Sequence, residues 1–246
     1  MQLSPPWPLH LTVDQLFYAQ GADAATLRRR RPQLVPLAEQ ALEEAETLLA
    51  PRVIVTRRAV RAFLDPPDGP ALDLETDIFP LTTTDVPISH WWKPLRHANT
   101  VFFMVCTIGP ALDARVAALQ ASEPLYALMV DALGTAAIDT LGRAAYRRLE
   151  SMLPAGWHLT RTFSLGANGW PLRSGQQQIF EHVLAADVGV SLLDSGQMTP
   201  RKTISMLIGA GAHVPRYTGR PCDLCALLET CQYQGRHHNA RSTSPV

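Results

Sequence analysis

The sequence predicts an α+β fold: a mainly antiparallel or mixed sheet with helices packed against it. Three observations lead there. The 246 residues are 46% hydrophobic and 18% charged, a globular composition long enough to bury a real core. Segments of helical and of strand character are mixed without regular β-α-β alternation. The apolar run Val101 to Cys106, rich in β-branched and aromatic residues, has the length of a buried strand.

Along the chain, Leu11 to Ala19 reads as a short helix with Thr12 at its N-cap. From Leu34 to Leu49, eight apolar residues fall on one face at helical spacing (Leu34, Leu37, Ala38, Ala41, Leu42, Ala45, Leu48, Leu49), which predicts a second helix. The run Arg28 to Arg31 before it is read as a solvated helix end. Arg52 to Val60 predicts a strand and Asp65 to Pro70 a turn, with a short strand at Leu72 to Leu74. The Trp91–Trp92 pair is assigned to the core.

After the central strand, Gly109–Pro110 opens a helix to about Gln120. Ser122 is placed as the N-cap of a long helix reaching about Leu153, with Glu123 and Pro124 in its first turn. Its small centre (Ala132, Gly134, Ala136, Ala137) predicts close packing on both sides. There follow a strand (Trp157 to Phe163), a glycine-containing loop (Ser164 to Pro171), a helix (Ser174 to Leu184), a short strand (Val188 to Leu193) and a strand (Thr203 to Ile208). The organisation expected is one domain over residues 1–236 and a loose polar tail over 237–246.

Composition excludes some classes. Lys+Arg and Asp+Glu both number 22, so the basic surplus of a general nucleic-acid binder or a polybasic membrane anchor is missing. The sequence has no run of about 18 consecutive apolar residues, and its first residues do not read as a signal peptide. Four cysteines do not make a disulfide framework, so a reducing cytoplasm is the expected location. No P-loop, GxSxG or HExxH motif occurs.

Three segments carry possible chemistry. Cys222 and Cys225, two residues apart, can turn both sulfurs toward one centre, and Cys231 can close on it. Zinc and an iron–sulfur cluster both suit three thiolates, with Cys106, His213, His237, His238 or an exogenous group in the fourth position. Cys106 itself ends an apolar run, where a buried inert thiol is expected. The second segment is Arg161-Thr-Phe-Ser164-Leu-Gly166-Ala-Asn168-Gly169-Trp-Pro-Leu172. Two glycines flanking Asn168 permit close backbone approach to a ligand, and the arginine can pair with a carboxylate; an ordinary strand-to-helix loop is the competing reading. In the third, Met198 to Gly211, strand alternation ends in Gly209–Ala–Gly211, whose backbone could touch a ligand.

In this order, Leu95 to Gly109, Asp131 to Asp139, and Ser164 through Trp170-Pro-Leu172 to Gly189–Leu192, Met198–Ser205 and Gly209 resemble the activation domain of cobalamin-dependent methionine synthase. The likeness extends to small stand-alone relatives of that domain, which also end in CxxC and a further Cys. The resemblance implies a curved, mainly antiparallel sheet flanked by helices that binds S-adenosylmethionine in a shallow groove. It also implies a partner: a corrinoid-binding protein or corrinoid methyltransferase, with an electron donor. An electron reduces Co(II), and the methyl group of the sulfonium traps Co(I), so the activity would be of methyltransferase type and rest mainly on proximity. By the same resemblance Asp139 stands where an acid, usually Glu, holds the ligand's amino group. The family's Arg-x-x-x-Gly-Tyr aligns with Thr162-Phe-Ser-Leu-Gly166-Ala167, so Arg161 falls one residue early and Ala167 replaces Tyr. On a regular strand that shift turns Arg161 to the opposite face.

The reading is therefore an S-adenosylmethionine-binding factor that reactivates a corrinoid protein. Asp139, Arg161, Ser164, Gly166, Asn168 and Gly169 are its candidate ligand contacts, and Cys222, Cys225 and Cys231 its candidate metal ligands. The alternatives are a redox module on the same scaffold, with an iron–sulfur or zinc site, and a zinc-stabilised interaction protein.

Overall fold

In a computed structural model, which describes residues 2–3, 5–65, 69–81, 90–165 and 170–216, the chain forms nine strands and seven α-helices in those segments. The strands are β1 (Gln2–Leu3), β2 (Arg52–Leu64), β3 (Ala71–Leu74), β4 (Ile78–Pro80), β5 (Thr100–Thr107), β6 (His158–Leu159), β7 (Ser191–Leu192), β8 (Met198–Thr199) and β9 (Thr203–Gly211). The helices are α1 (Val13–Ala19), α2 (Ala24–Arg30), α3 (Leu34–Glu43), α4 (Ala45–Leu48), α5 (Ala111–Leu119), α6 (Pro124–Ser151) and α7 (Leu172–His182). Two 3₁₀ helices cover His90–His97 and Ala185–Val188.

Seven strands make one curled antiparallel sheet in the order β4-β3-β2-β5-β9-β6, with β1 beside β2; β7 and β8 form a separate hairpin. The α+β expectation is met. The curl has a local cause in β2. Its first part, to Ala59, pairs with β5, and its last part, from Val60, pairs with β3 after a register shift between Val60 and Ala62. Such an irregularity bends a strand and raises its twist.

All eight residues of β5 are buried. Phe102, Met104 and Cys106 point into the core beneath the helices, and Val101, Phe103 and Val105 into a second core on the other face. This explains why the strand reads as an unbroken apolar run rather than an alternating one. Cys106 is the inert thiol expected, its pKa pushed up by burial to about 12.

Helix α6 packs on α1, α3 and α5. A Cβ at Gly134 would lie 2.8 Å from Leu112 Cδ2, and one at Gly142 2.7 Å from Ile204 Cδ1, so the predicted close packing on both sides holds. By length and hydropathy α6 could cross a bilayer, but 67% of its apolar window is buried inside this fold. Helix α1 starts as read: Thr12 Oγ1 accepts from the Gln15 N–H (3.3 Å), while Gln15 Oε1 accepts from the Thr12 N–H (2.7 Å). The arginine run closes α2, and Arg28 pairs with Asp14 at 2.7 Å on the surface.

Several boundaries differ from the sequence reading, each for a tertiary reason. The helix predicted over Leu34 to Leu49 divides at Glu44. The Glu44 carboxylate accepts two bonds from Arg115 (2.9 Å each) and one from Tyr126 (2.6 Å), which holds its pKa below the usual carboxylate value. Glu123, not Ser122, occupies the N-cap of α6, with Pro124 in the first turn and no side-chain cap bond. The region of Trp91 and Trp92 is a 3₁₀ helix; Trp92 is buried as expected, against Phe63 at 5.4 Å between ring centroids. The strand expected at Val188 to Leu193 is 3₁₀ up to Val188 and paired over Ser191–Leu192. The tail 237–246 lies outside the described residues.

The glycines at the end of β9 serve packing. A Cβ at Gly209 would meet Leu95 Cδ2 at 2.8 Å, and one at Gly211 would sit 2.6 Å from the His97 carbonyl oxygen. A backbone atom cannot step aside as a methyl can, so Gly211→Ala should lower stability by about 1–3 kcal/mol. Gly142→Ala meets only the tip of Ile204 and gains helix propensity, so it should stay within about 1 kcal/mol of the parent. Urea unfolding of the two variants checks the contrast.

Candidate functional site

The edge of the sheet beyond β9 is built from three elements. One is the short β6 and the segment that leaves it; the second is the face of α6 above it; the third is α7, which follows the loop. Leu159 pairs with Ala210, and the Thr160 N–H donates to the Gly209 carbonyl at 2.8 Å. Pairing resumes at Phe163, opposite Leu207. Two residues, Arg161 and Thr162, thus face Ile208 alone, which is a β-bulge. The strand predicted over Trp157 to Phe163 is therefore interrupted.

Thr160 explains the interruption. Its carbonyl is turned to α6, where it accepts the Tyr146 hydroxyl at 2.9 Å. The Gly209 N–H, left without that carbonyl, donates to Thr160 Oγ1 (2.9 Å), and the same hydroxyl donates to the Arg161 carbonyl (2.8 Å). Burial raises the Tyr146 pKa to about 12, so the phenol keeps its proton to donate. Phe163 enters the second core, and the Arg161 guanidinium lies 5.0 Å from its ring centroid, on the same side.

On α6 the stripe facing this edge runs from Asp131 and Thr135, which accept bonds from Lys202 (2.8 and 2.9 Å), past Gly142 against Ile204, to Tyr146. Asp139 lies within this length, exposed, its Oδ2 2.6 Å from Arg143 one turn on. Asp139 is a candidate from the sequence, and its partner Arg143 is not. The i, i+4 spacing of acid and base was the available signal.

Below the loop, Ser164 is exposed and Leu165 half-buried. Trp170 is buried and donates from Nε1 to Gln178 Oε1 at 3.1 Å, while Gln176 Oε1 accepts from Ser205 Oγ of β9 at 2.8 Å. At the far end of α7, His182 stacks on Phe103 at 4.3 Å and meets Phe79 edge-on at 5.3 Å. These contacts fix α7 to the sheet and fix where the loop returns. Gly166, Asn168 and Gly169 of the candidate set lie outside the described residues, as do Cys222, Cys225 and Cys231. Among the described residues no three His, Cys, Asp or Glu side chains converge as a metal site.

Comparison with known proteins gives a fold and no family. No family model matches the chain, and no curated protein matches it in sequence. Thirteen chains of solved structures match in fold. One is the crystal structure of the MetH reactivation domain bound to AdoHcy, with a TM-score of 0.59 over 83% of this chain and 75% of that one, at 15% identity.

The anchoring of α7 has a pH signature. Burial, the largest influence, lowers the His182 pKa below its ordinary value; Arg58 adds to this and the Asp77 carboxylate at 3.7 Å opposes it. The unfolded chain then binds the extra proton first, so stability is full above the unfolded value of about 6.5 and falls as pH drops below it. Melting temperature should decline between about pH 7 and 5. His182→Phe, which keeps a stacked ring and cannot titrate, should flatten the decline.

Proposed function

We propose that this chain binds an S-adenosyl amino acid, S-adenosylmethionine or its thioether product, at the β9–β6 edge, and presents it to a corrinoid held by a partner protein. One observation supports the reading: an AdoHcy-bound reactivation domain shares this fold, and α6 here carries a partly exposed acid–base pair. Such a ligand is a zwitterion at its amino-acid end. Asp139 would take the ammonium and Arg143 the carboxylate, each exchanging one ionic partner for another. Opening an exposed pair costs only about 0–1 kcal/mol, so their mutual contact is no obstacle. Ser164, with Gly166, Asn168 and Gly169, would close over the nucleoside, and Arg161 would hold this segment from the Phe163 side.

The chain's chemical task in this scheme is positional. The sulfonium carbon must sit beside the metal of the partner's corrinoid, whose electron comes from a separate donor; placing the two reactants together is the main source of rate. Nothing in the chain needs to donate or accept a proton.

Calorimetric titration with AdoHcy tests the proposal. Saturable one-to-one binding is expected, about tenfold weaker or more in Asp139→Ala and in Arg143→Ala, since each loses a charge-assisted bond. Asp139 is exposed and Arg143 half-buried at the helix surface, so the variants should keep close to the parent's melting temperature. No binding by the folded parent protein would remove the proposal and leave a shared scaffold.

A further inference from the structure

Away from that edge, the end of β2, the C-terminal end of the first 3₁₀ helix and the turn after β9 line an open groove of about 270 Å³. Arg61, Arg96, His97 and His213 line it, and no acidic side chain does so among the described residues. The lining thus carries two guanidiniums and two imidazoles, with the Asp65 carboxylate just outside it paired to Arg96.

Three features distinguish the groove from a patch of solvated charge. The side chains come from positions far apart in sequence and are brought together by backbone contacts: Val60 N–H to the Asn99 carbonyl (3.0 Å), Asn99 N–H to the Ala210 carbonyl (2.8 Å) and Ala212 N–H to Asn99 Oδ1 (3.4 Å). Gly211, which no larger residue can replace without meeting the His97 carbonyl, allows that approach. Both arginines are also held. Arg61 donates to the Glu75 carbonyl at 3.0 Å. Arg96 pairs with Asp65 at 2.6 Å, and its guanidinium lies 4.9 Å from the Trp92 ring centroid and 5.0 Å from that of Phe63. Part of the entropy of ordering them is already lost before a ligand arrives. Guanidinium forks match the tetrahedral oxygens of phosphate, imidazoles add two further ring donors, and Phe63 supplies an apolar wall for an organic group.

We infer that this groove is a binding site for a phosphomonoester of a small molecule, with Arg61 and Arg96 holding the phosphate and Phe63 the attached group. The inference does not depend on the S-adenosyl site. The volume suits a small ligand and not a polymer.

Calorimetry with inorganic phosphate and with phenyl phosphate, in chloride buffer of constant ionic strength, tests it. Both should bind one-to-one, phenyl phosphate the more tightly because of Phe63. Arg61→Ala and the double variant Arg61→Ala/His213→Ala should weaken both by about tenfold or more, with melting temperatures like the parent's. Arg143→Ala should leave phosphate binding unchanged, which separates this site from the other. Three results would overturn the inference: no saturable heat, equal affinity in the folded double variant, or phosphate binding that equimolar chloride abolishes.

Discussion

The burial of β5 on both faces is the constraint from which the rest follows. A strand with every side chain enclosed can hold no polar chemistry, because an unpaired polar group there would carry its full desolvation cost. The helices take one face and the 3₁₀ segments, α7 and the β3–β4 ribbon take the other. Polar groups that could meet a ligand are displaced outward from this strand. They gather at the β6 edge and at the far end of β2, and both candidate sites lie in those places.

An edge strand needs a device that stops further pairing. In this fold the device is Tyr146. By drawing the Thr160 carbonyl toward α6 it removes one ladder acceptor, and the two-against-one pairing at Arg161 and Thr162 follows. Irregular backbone at the edge exchanges sheet hydrogen bonds for side-chain bonds from Thr160. The same substitution that ends the sheet sets the direction of the segment leading into the Ser164–Pro171 loop. Edge irregularity and the course of the chain out of β6 thus share one hydrogen bond.

Much of this was legible in the sequence, and the division between what was and was not is physical. β5, α1 with its Thr12 N-cap and the long α6 are specified by residues within one or two turns of each other, and local pattern found them. The break at Glu44 depends on Arg115 and Tyr126, 71 and 82 residues away, so the unbroken apolar stripe from Leu34 to Leu49 concealed it. The bulge depends on a tyrosine of another element. The aligned sequence places Arg161 one residue early and gives no direct sign of the bulge. Asp139 entered as a candidate through the family resemblance. Arg143 required knowing that the acid faces outward with a base one turn on. The β2 groove draws on positions 61, 96, 97 and 213, and no window of sequence contains them together.

The exposed ion pairs show how such a surface can be ready to bind without being unstable. Asp139 and Arg143 lie on one helix whose other face is buried, so parting them leaves the helix intact and frees two opposite charges one turn apart. Arg96 differs: when Asp65 releases it, the rings of Trp92 and Phe63 still hold the guanidinium in place. The first arrangement suits a zwitterion, because it supplies both signs at a fixed separation. The second offers an anion a guanidinium that the rings hold in place, provided the ligand displaces Asp65. Charge balance over the whole chain hides this division, since equal numbers of acids and bases say nothing about which bases are left facing a groove. The local pairing, not the sum, decides what each edge of the sheet can recognise.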